Sequence, residues 1–379
     1  MFFDGITIGI CACLVLLAVM SLLADTFFKK IPTDEGKVET GQGRPVSVIV
    51  ISDNNARELQ SGLQAFLSQD YPAGYEVIVV VDKDEDGTGD VLKAYGNVEN
   101  LYTTFVPDSS RYMSRRKLAV TLGVKAAKHE LVILTDATCR PLSSKWIGTM
   151  VSSCTNGVDM VLGYSNYEEG IEHSKMFFRF HREYALFREA VFGTAYGMAG
   201  NNLMFKKSMF MSGNGFQGNL KYLRGEYDFL VNKYASKGNV AVAVNADAYV
   251  VETVPSKKAW HDRNVFYVET RKHLRRSFRH RMNFCIDMFS LHACFLASLG
   301  SMLFAVVSSR WIVLVLSILA LCVMFFSRIY HAKHAMRVFN VSVPLWKVVP
   351  FELGIVWHDL KYMIIHKFAD KYEFISHKS

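Results

Sequence analysis

Three apolar runs in this chain stop at an aspartate. Val46-Ser-Val-Ile-Val-Ile51 leads into Ser52-Asp53-Asn54-Asn55, Glu76-Val-Ile-Val-Val-Val81 into Asp82, and Leu131-Val-Ile-Leu-Thr135 into Asp136. Further on, Glu226 and Asp228 open a helical pattern carried by Tyr227, Leu230, Val231 and Tyr234. Short β-branched runs bounded by polar turns read as buried strands. A single aspartate opening a turn, as Asp136 does towards Pro141, has an ordinary explanation in turn chemistry. Three strands ending alike point instead to a site, because ligands of open α/β sheets bind beyond the C-terminal strand edge. Carboxylates gathered there can hold a divalent cation or accept a proton. Acids in a helix's first turn also suit its dipole whatever their function, so Glu226 and Asp228 need the strand-end aspartates beside them to mean more.

The elements that must position these groups follow from periodicity. Leu59, Leu63, Phe66 and Leu67 recur at helical spacing, and Leu118 to Ala127 forms a second helical segment between strands. Strand, helix and strand in succession give βαβ units, whose crossover rule makes the sheet mostly parallel and turns all three aspartates to one crevice. The predicted architecture is thus α/β, a mostly parallel sheet flanked by helices over residues 45–255. Asn239 to Val244 and Ala246 to Val251 alternate as the strands of a closing hairpin. The segment from Ser174 to Gly193 sets Phe177, Phe180, Tyr184, Phe187 and Val191 on one face against Arg179, Arg182 and Arg188. That pattern suits a core helix or one lying on a bilayer.

Around this domain lie three apolar stretches. Gly5 to Ala24 has the length of a bilayer span and is followed by Lys29-Lys30, which predicts an N-terminal anchor over 1–28 with the rest of the chain in the cytoplasm. Asp4 before the run and Asp25 after it do not fit a cleaved signal peptide. Residues 29–44 read as a linker and 256–282 as a basic juxtamembrane segment. Asn283 to Val307 and Trp311 to Phe326 form a transmembrane hairpin over 283–327, the second arm short and Asp287 costly in lipid. Arg328, Lys333, His334 and Arg337 return the chain to the cytoplasmic side. The tail, 328–379, mixes Trp346, Trp357, Tyr362 and Phe368 with lysines, as an interfacial segment does. A multi-pass protein of a bacterial-type inner membrane is expected.

The net charge of +8 and pI near 9.0 are carried largely by the cluster from Arg271 to Arg281, next to the second apolar stretch. Such clusters attract anionic lipid. No nucleic-acid-binding motif accompanies them, so nucleic acid is not an expected partner. The seven cysteines show neither a disulfide framework nor zinc-ligand spacing.

Taken together, Val46 to Asn54, Gln69-Asp-Tyr-Pro72, the acidic loop Asp82 to Thr88, the basic stretch from Ser114 through Lys128, Leu134-Thr-Asp136-Ala-Thr138-Cys-Arg-Pro141 and Gly225-Glu-Tyr-Asp228 resemble the family 2 glycosyltransferases of the glycosyltransferase A fold, in the family's order. The resemblance implies transfer of a sugar from a nucleotide-diphosphate donor, UDP-linked by expectation, by metal-assisted direct displacement with inversion. It implies Mg²⁺ or Mn²⁺ as the ion and a glycan or lipid-linked acceptor, with membrane lipids as further partners. It places Asp53, Asp82, Arg116, Lys117 and Asp136 at the donor, and Asp136 with Thr138 at the metal. Asp228, and after it Glu226, is the expected catalytic base, and Gly200, Asn201 and Asn202 lie near the acceptor. The chain departs from the pattern twice: Thr138 stands where a second metal-binding acid is usual, and Tyr227 separates an acidic pair that is normally adjacent. The Gln-x-x-Arg-Trp string of processive members is absent, which implies single-residue transfer, and Arg275 and Arg276 are left as candidates for donor or lipid phosphate. Two rivals stay in view. One is a catalytically silent relative binding nucleotide sugar or glycan. The other is a nucleotidyltransferase, whose Gly-rich phosphate loop is missing here.

Overall fold

A computed structural model describes residues 4–33, 43–107, 114–370 and 374, so the linker expected at 29–44 falls partly outside the described residues. The chain divides into two compact units. The first comprises Met1–Lys30, His173–Ala185 and Arg276–Lys361, and the second Ile31–Glu172, Leu186–Arg275 and Tyr362–Ser379.

In chain order the elements are α1 (Gly5–Ala24), β1 (Val46–Asp53), α2 (Ala56–Leu67), β2 (Tyr75–Lys83), α3 (Thr88–Lys93), β3 (Leu101–Phe105), α4 (Arg115–Ala126), β4 (Leu131–Asp136), β5 (Cys139–Pro141), α5 (Trp146–Ser152), β6 (Met160–Gly163), β7 (Ser165–Tyr167), α6 (His173–Phe192), β8 (Asn202–Lys206), α7 (Lys207–Ser212), α8 (Glu226–Tyr234), β9 (Val240–Ala243), β10 (Val250–Glu252), α9 (Lys257–His273), α10 (Phe278–Val307), α11 (Trp311–Val338) and α12 (Val348–Phe368).

The second unit is built on a sheet of order β3-β2-β1-β4-β8-β6-β9. The first four strands are parallel, and Asp136 lies in register with Ile51 while Asp53 pairs with Lys83, so Asp82, Asp53 and Asp136 end neighbouring strands. The sheet is mixed rather than wholly parallel. Strand β8 runs antiparallel to β4 and β6, which brings its first residue, Asn202, opposite Thr135 at the edge that holds Asp136. The closing hairpin expected over 239–251 does not form. Strand β9 joins the large sheet parallel to β6, whereas β10 sits between β5 and β7 in a three-stranded sheet. The two runs diverge because Asn245 accepts a hydrogen bond from Asp247 N and starts a short helical turn between them. Strands β1, β2 and β4 are buried on both faces, with Val48, Ile49, Ile78, Val79, Ile133 and Leu134 all at 0% exposure. That accounts for their uninterrupted apolar sequence.

The first unit holds α1, α10 and α11, the three helices among the described residues that are long and apolar enough to cross a membrane. Leu14, Ala18, Leu291, Cys294, Ala320, Met324 and Val349 form its core. The second arm of the hairpin is not short: α11 is a 28-residue helix running through Arg328 to Val338. Arg328 is buried inside this unit rather than emerging from it. Its Nη2 donates to Asp287 Oδ1 at 2.6 Å, its Nη1 to Glu352 Oε2 at 3.1 Å and its Nε to Ser21 Oγ at 3.0 Å. Asp287 Oδ2 also accepts from Thr26 N and Oγ1. The cost of Asp287 in an apolar helix is offset by Arg328 of α11 and by Thr26, just beyond α1.

Helix α6 resolves to core packing. Phe180 stacks on Phe27 and lies against Phe339 in the first unit, while Phe187 packs edge-on to Tyr164 in the second. Its basic face is partly buried too, since Arg179 and Arg188 are both covered.

Candidate active site

The site forms where β1, β2 and β4 end and α4 and α8 begin, all within the second unit. Helix α4 opens with Arg115, Arg116 and Lys117, three cations at the end of a helix dipole that disfavours them. Each is compensated by a specific partner. Arg115 Nε donates to Asp82 Oδ1 at 2.7 Å, and its Nη2 donates to the Asp82 carbonyl. Arg116 bridges two carboxylates: Nη2 donates to both oxygens of Asp136 at 2.8 Å, and Nε donates to Glu226 Oε1 at 2.6 Å. Tyr227 adds a hydroxyl to Asp136 Oδ1 at 3.3 Å. Buried guanidinium–carboxylate contacts of this kind are strong and directional.

Lys117 was expected at the donor's phosphates, but it turns the other way. Fully buried, it donates to the carbonyls of Asn219 and Arg224, at 2.9 and 3.5 Å, and to that of Tyr222. Burial pulls its pKa down to about 8. Its work is to shape the loop before α8. That loop ends at Gly225, whose φ of +88° is the left-handed conformation that lets the chain turn into the helix, and a Cβ there would meet Thr270 Cγ2 at 2.6 Å.

The acids do not behave alike. Burial would raise the pKa of Glu226, but Arg116 and Arg224 outweigh it and hold the group at about 2. Asp136 is pushed up by burial and by the charges of Glu226 and Glu252, against the pull of Arg116. Asp82 is likewise raised by burial and by neighbouring Asp53, with Arg115 opposing. Asp53 is half-buried, and its carboxylate has no hydrogen-bond partner among the described residues. In the acidic loop, Asp86 caps the start of α2, since its Oδ2 accepts from Ala56 N at 2.7 Å.

Asp228 is two residues on from Glu226, about 200° round α8, and faces the segment before β8. Its Oδ1 accepts from Met198 N at 3.1 Å, and a Cβ on Gly197 would come within 2.5 Å of that oxygen. Gly200 is buried, and Asn201 N donates to Ser165 Oγ at 3.2 Å. Asn202, expected near an acceptor, has its side chain committed to the interior. It donates to the carbonyls of Ala248 and Tyr164 and accepts from Trp146 Nε1. Arg275 is tied to α8 through its backbone, which exchanges hydrogen bonds with the Asn232 side chain, and its own side chain is exposed. Arg276 belongs to the other unit.

Sequence reasoning missed two groups. Glu252 is buried at the end of β10, paired with Arg263, which also donates to Tyr167 Oη at 2.6 Å. Arg224 immediately precedes Gly225. The signal available for Glu252 was another apolar strand, Val250-Val251, ending in an acid.

A divalent ion bridging a diphosphate takes one or two carboxylates and fills its remaining positions with phosphate and water. Asp136 offers one carboxylate at the strand edge, Thr138 a neutral hydroxyl, and Glu226 Oε2 is buried without a partner. No group of three His, Cys, Asp or Glu able to hold an ion is gathered among the described residues. The donor set therefore fits an ion that arrives with a diphosphate and is shared with it, and does not fit an all-protein cage.

A mostly parallel, mixed sheet of this order flanked by helices is the arrangement of the glycosyltransferase A fold. The mannosyltransferase PcManGT from Pyrobaculum calidifontis, solved with GDP-Man and Mn²⁺, superposes with a TM-score of 0.52 at 17% identity, covering 94% of this chain and 98% of that one. Residues 47–213 match the model of glycosyl transferase family 2. Over 122 residues it is 30% identical to glycosyltransferase AglE of Haloferax volcanii; the match covers 31% of this chain and 38% of that protein. The chain thus matches well under two thirds of that relative's length.

Proposed function

We propose that the protein is a membrane-anchored glycosyltransferase that moves one sugar from a nucleotide-diphosphate donor to a membrane-associated glycan or lipid-linked acceptor, with its catalytic domain in the cytoplasm. The observation that carries this reading is the Arg116 bridge between Asp136 and Glu226 at the edge shared by Asp53 and Asp82, with Asp228 two residues further on in α8. Asp53 and Asp82 address the nucleoside. Asp136 would hold Mg²⁺ or Mn²⁺ together with the donor's diphosphate, and such an ion supplies Lewis-acid stabilisation of the leaving oxygens.

The acceptor hydroxyl attacks the anomeric carbon as the bond to the diphosphate breaks. The hydroxyl proton passes to a carboxylate and the bonding pair leaves on the diphosphate, and entry from the face opposite the diphosphate inverts the anomeric carbon. Asp228 suits the base role better than Glu226, whose ion pair with Arg116 and pKa near 2 make it a poor proton acceptor. Glu226 instead holds Arg116 in place. Three apolar helices, with Lys29-Lys30 after the first, support the membrane and cytoplasmic assignments.

The acceptor class is tested by offering labelled donor to the full-length protein with either membrane lipid extract or soluble glycans. Label moving into the organic phase is expected. Equal transfer to soluble glycans in lipid-free detergent contradicts a lipid-linked acceptor.

A further inference from the structure

The basic side chains around the crevice are nearly all committed. Arg115 is held by Asp82, Arg116 by Asp136 and Glu226, Lys117 by three carbonyls, and Arg263 by Glu252 and Tyr167. Arg224 is different. Among the described residues its guanidinium has no hydrogen-bond or ion-pair partner, and its nearest organised contact is the Phe266 ring, 6.0 Å from Cζ, the outer limit of a cation–π approach. It is solvent-exposed, yet the charges it feels are those of the site: Arg116, Glu226, Asp53 and Asp136.

The backbone that carries Arg224 is fixed from both sides. Lys117 donates to its carbonyl and to those of Asn219 and Tyr222 upstream, and Gly225 makes the left-handed turn into α8 directly after it. Nearby, Asp53 is an uncommitted carboxylate that has not paired with it. A rigidly mounted free cation and a free anion in one crevice, each left open, suit a ligand bearing both acceptors and donors. A nucleoside diphosphate is such a ligand. Its hydroxyl or base N–H groups serve the carboxylate, and its phosphate oxygens serve the guanidinium.

We propose that Arg224 is the residue that binds the donor's diphosphate, supplying the positive charge that the threonine at position 138 cannot help an ion to supply. The proposal rests on the glycosyltransferase reading of this crevice.

The test is calorimetric titration of full-length protein in detergent with uridine, guanosine, UDP and GDP, comparing wild type with Arg224→Gln and Arg224→Lys. For whichever nucleoside diphosphate the wild type binds, Arg224→Gln is expected to weaken affinity about 30- to 100-fold, the scale of a lost charge-assisted hydrogen-bond pair. Its nucleoside affinity should stay within about threefold, and Arg224→Lys should recover part of the loss, because charge persists without the planar fork. Unchanged diphosphate binding in Arg224→Gln overturns the proposal while leaving the glycosyltransferase reading intact. Equal weakening of nucleoside and diphosphate in both variants also overturns it, marking a structural role. A wild type that binds neither diphosphate overturns the proposal together with the reading beneath it.

Discussion

At the residue scale the site is governed by one guanidinium. Arg116 is the counter-ion for two buried carboxylates, and removing it leaves both uncompensated in a low-dielectric site. Arg116→Gln is expected to cost about 3–5 kcal/mol at neutral pH, measured by thermal or denaturant unfolding. Arg116→Lys should recover little of this, since an ammonium cannot send separate N–H groups to Glu226 and Asp136 in the same fixed fork. The pH dependence follows from Glu226. Its folded pKa of about 2 lies below the ordinary 4.5, so its contribution is fully present above about 4.5 and is lost as pH falls towards 2. The gap between wild type and Arg116→Gln should therefore narrow below pH 4.5. Asp136, whose pKa is raised, works in the opposite sense and favours the folded state more when protonated. The aspartates at the strand ends were legible in sequence because a β-branched run shows where a strand stops. The bridge was not, because residues 116, 136 and 226 are brought together only by the sheet order. Lys117 illustrates the same gap: adjacency to Arg116 suggested a shared role, but on a helix consecutive residues point about 100° apart.

At the element scale helix α8 and the segment before β8 must keep a close approach. Asp228 reaches Met198 N only because Gly197 has no side chain. Gly197→Ala is expected to displace the Asp228 carboxylate and lower kcat by about 10- to 100-fold, with donor KM changed less than about twofold. Steady-state kinetics at saturating acceptor read the split, and a donor KM that rises in step with the loss would place Asp228 at the donor instead. Strands β1, β2 and β4 were legible element by element. The antiparallel course of β8 and the separation of β9 from β10 were not, since alternation fixes which face a residue takes and says nothing about which neighbour a strand chooses. Asn202 was misread for that reason. A polar residue at the start of a strand looks like a site residue until the tertiary structure surrounds it with the Ala248 and Tyr164 carbonyls.

At the scale of the whole molecule, the membrane unit is held by a buried ionic network as well as by apolar packing. Arg328 joins Asp287 and Glu352, and both carboxylates lose their cation in Arg328→Met. The expected cost is about 3–5 kcal/mol, seen as a lower melting temperature in detergent. A melting temperature equal to wild type would show that these carboxylates are not relying on Arg328. Hydropathy made the three spans legible and also misdirected the reading of Arg328, because a cation near the end of an apolar run ordinarily snorkels to the surface. Its partners lie on helices distant in sequence, so nothing local marked it as buried.

The most direct measurement is release of nucleoside diphosphate from a panel of UDP- and GDP-sugars by the full-length protein with Mn²⁺, Mg²⁺ or EDTA, beside Asp136→Ala and Asp228→Ala. A sugar-transferring crevice built on Asp136 and Asp228 predicts release from one donor that requires an added divalent ion and is lost in both variants. Donor binding without release from any sugar, even with native membrane lipids present, or release that survives both substitutions, would contradict it.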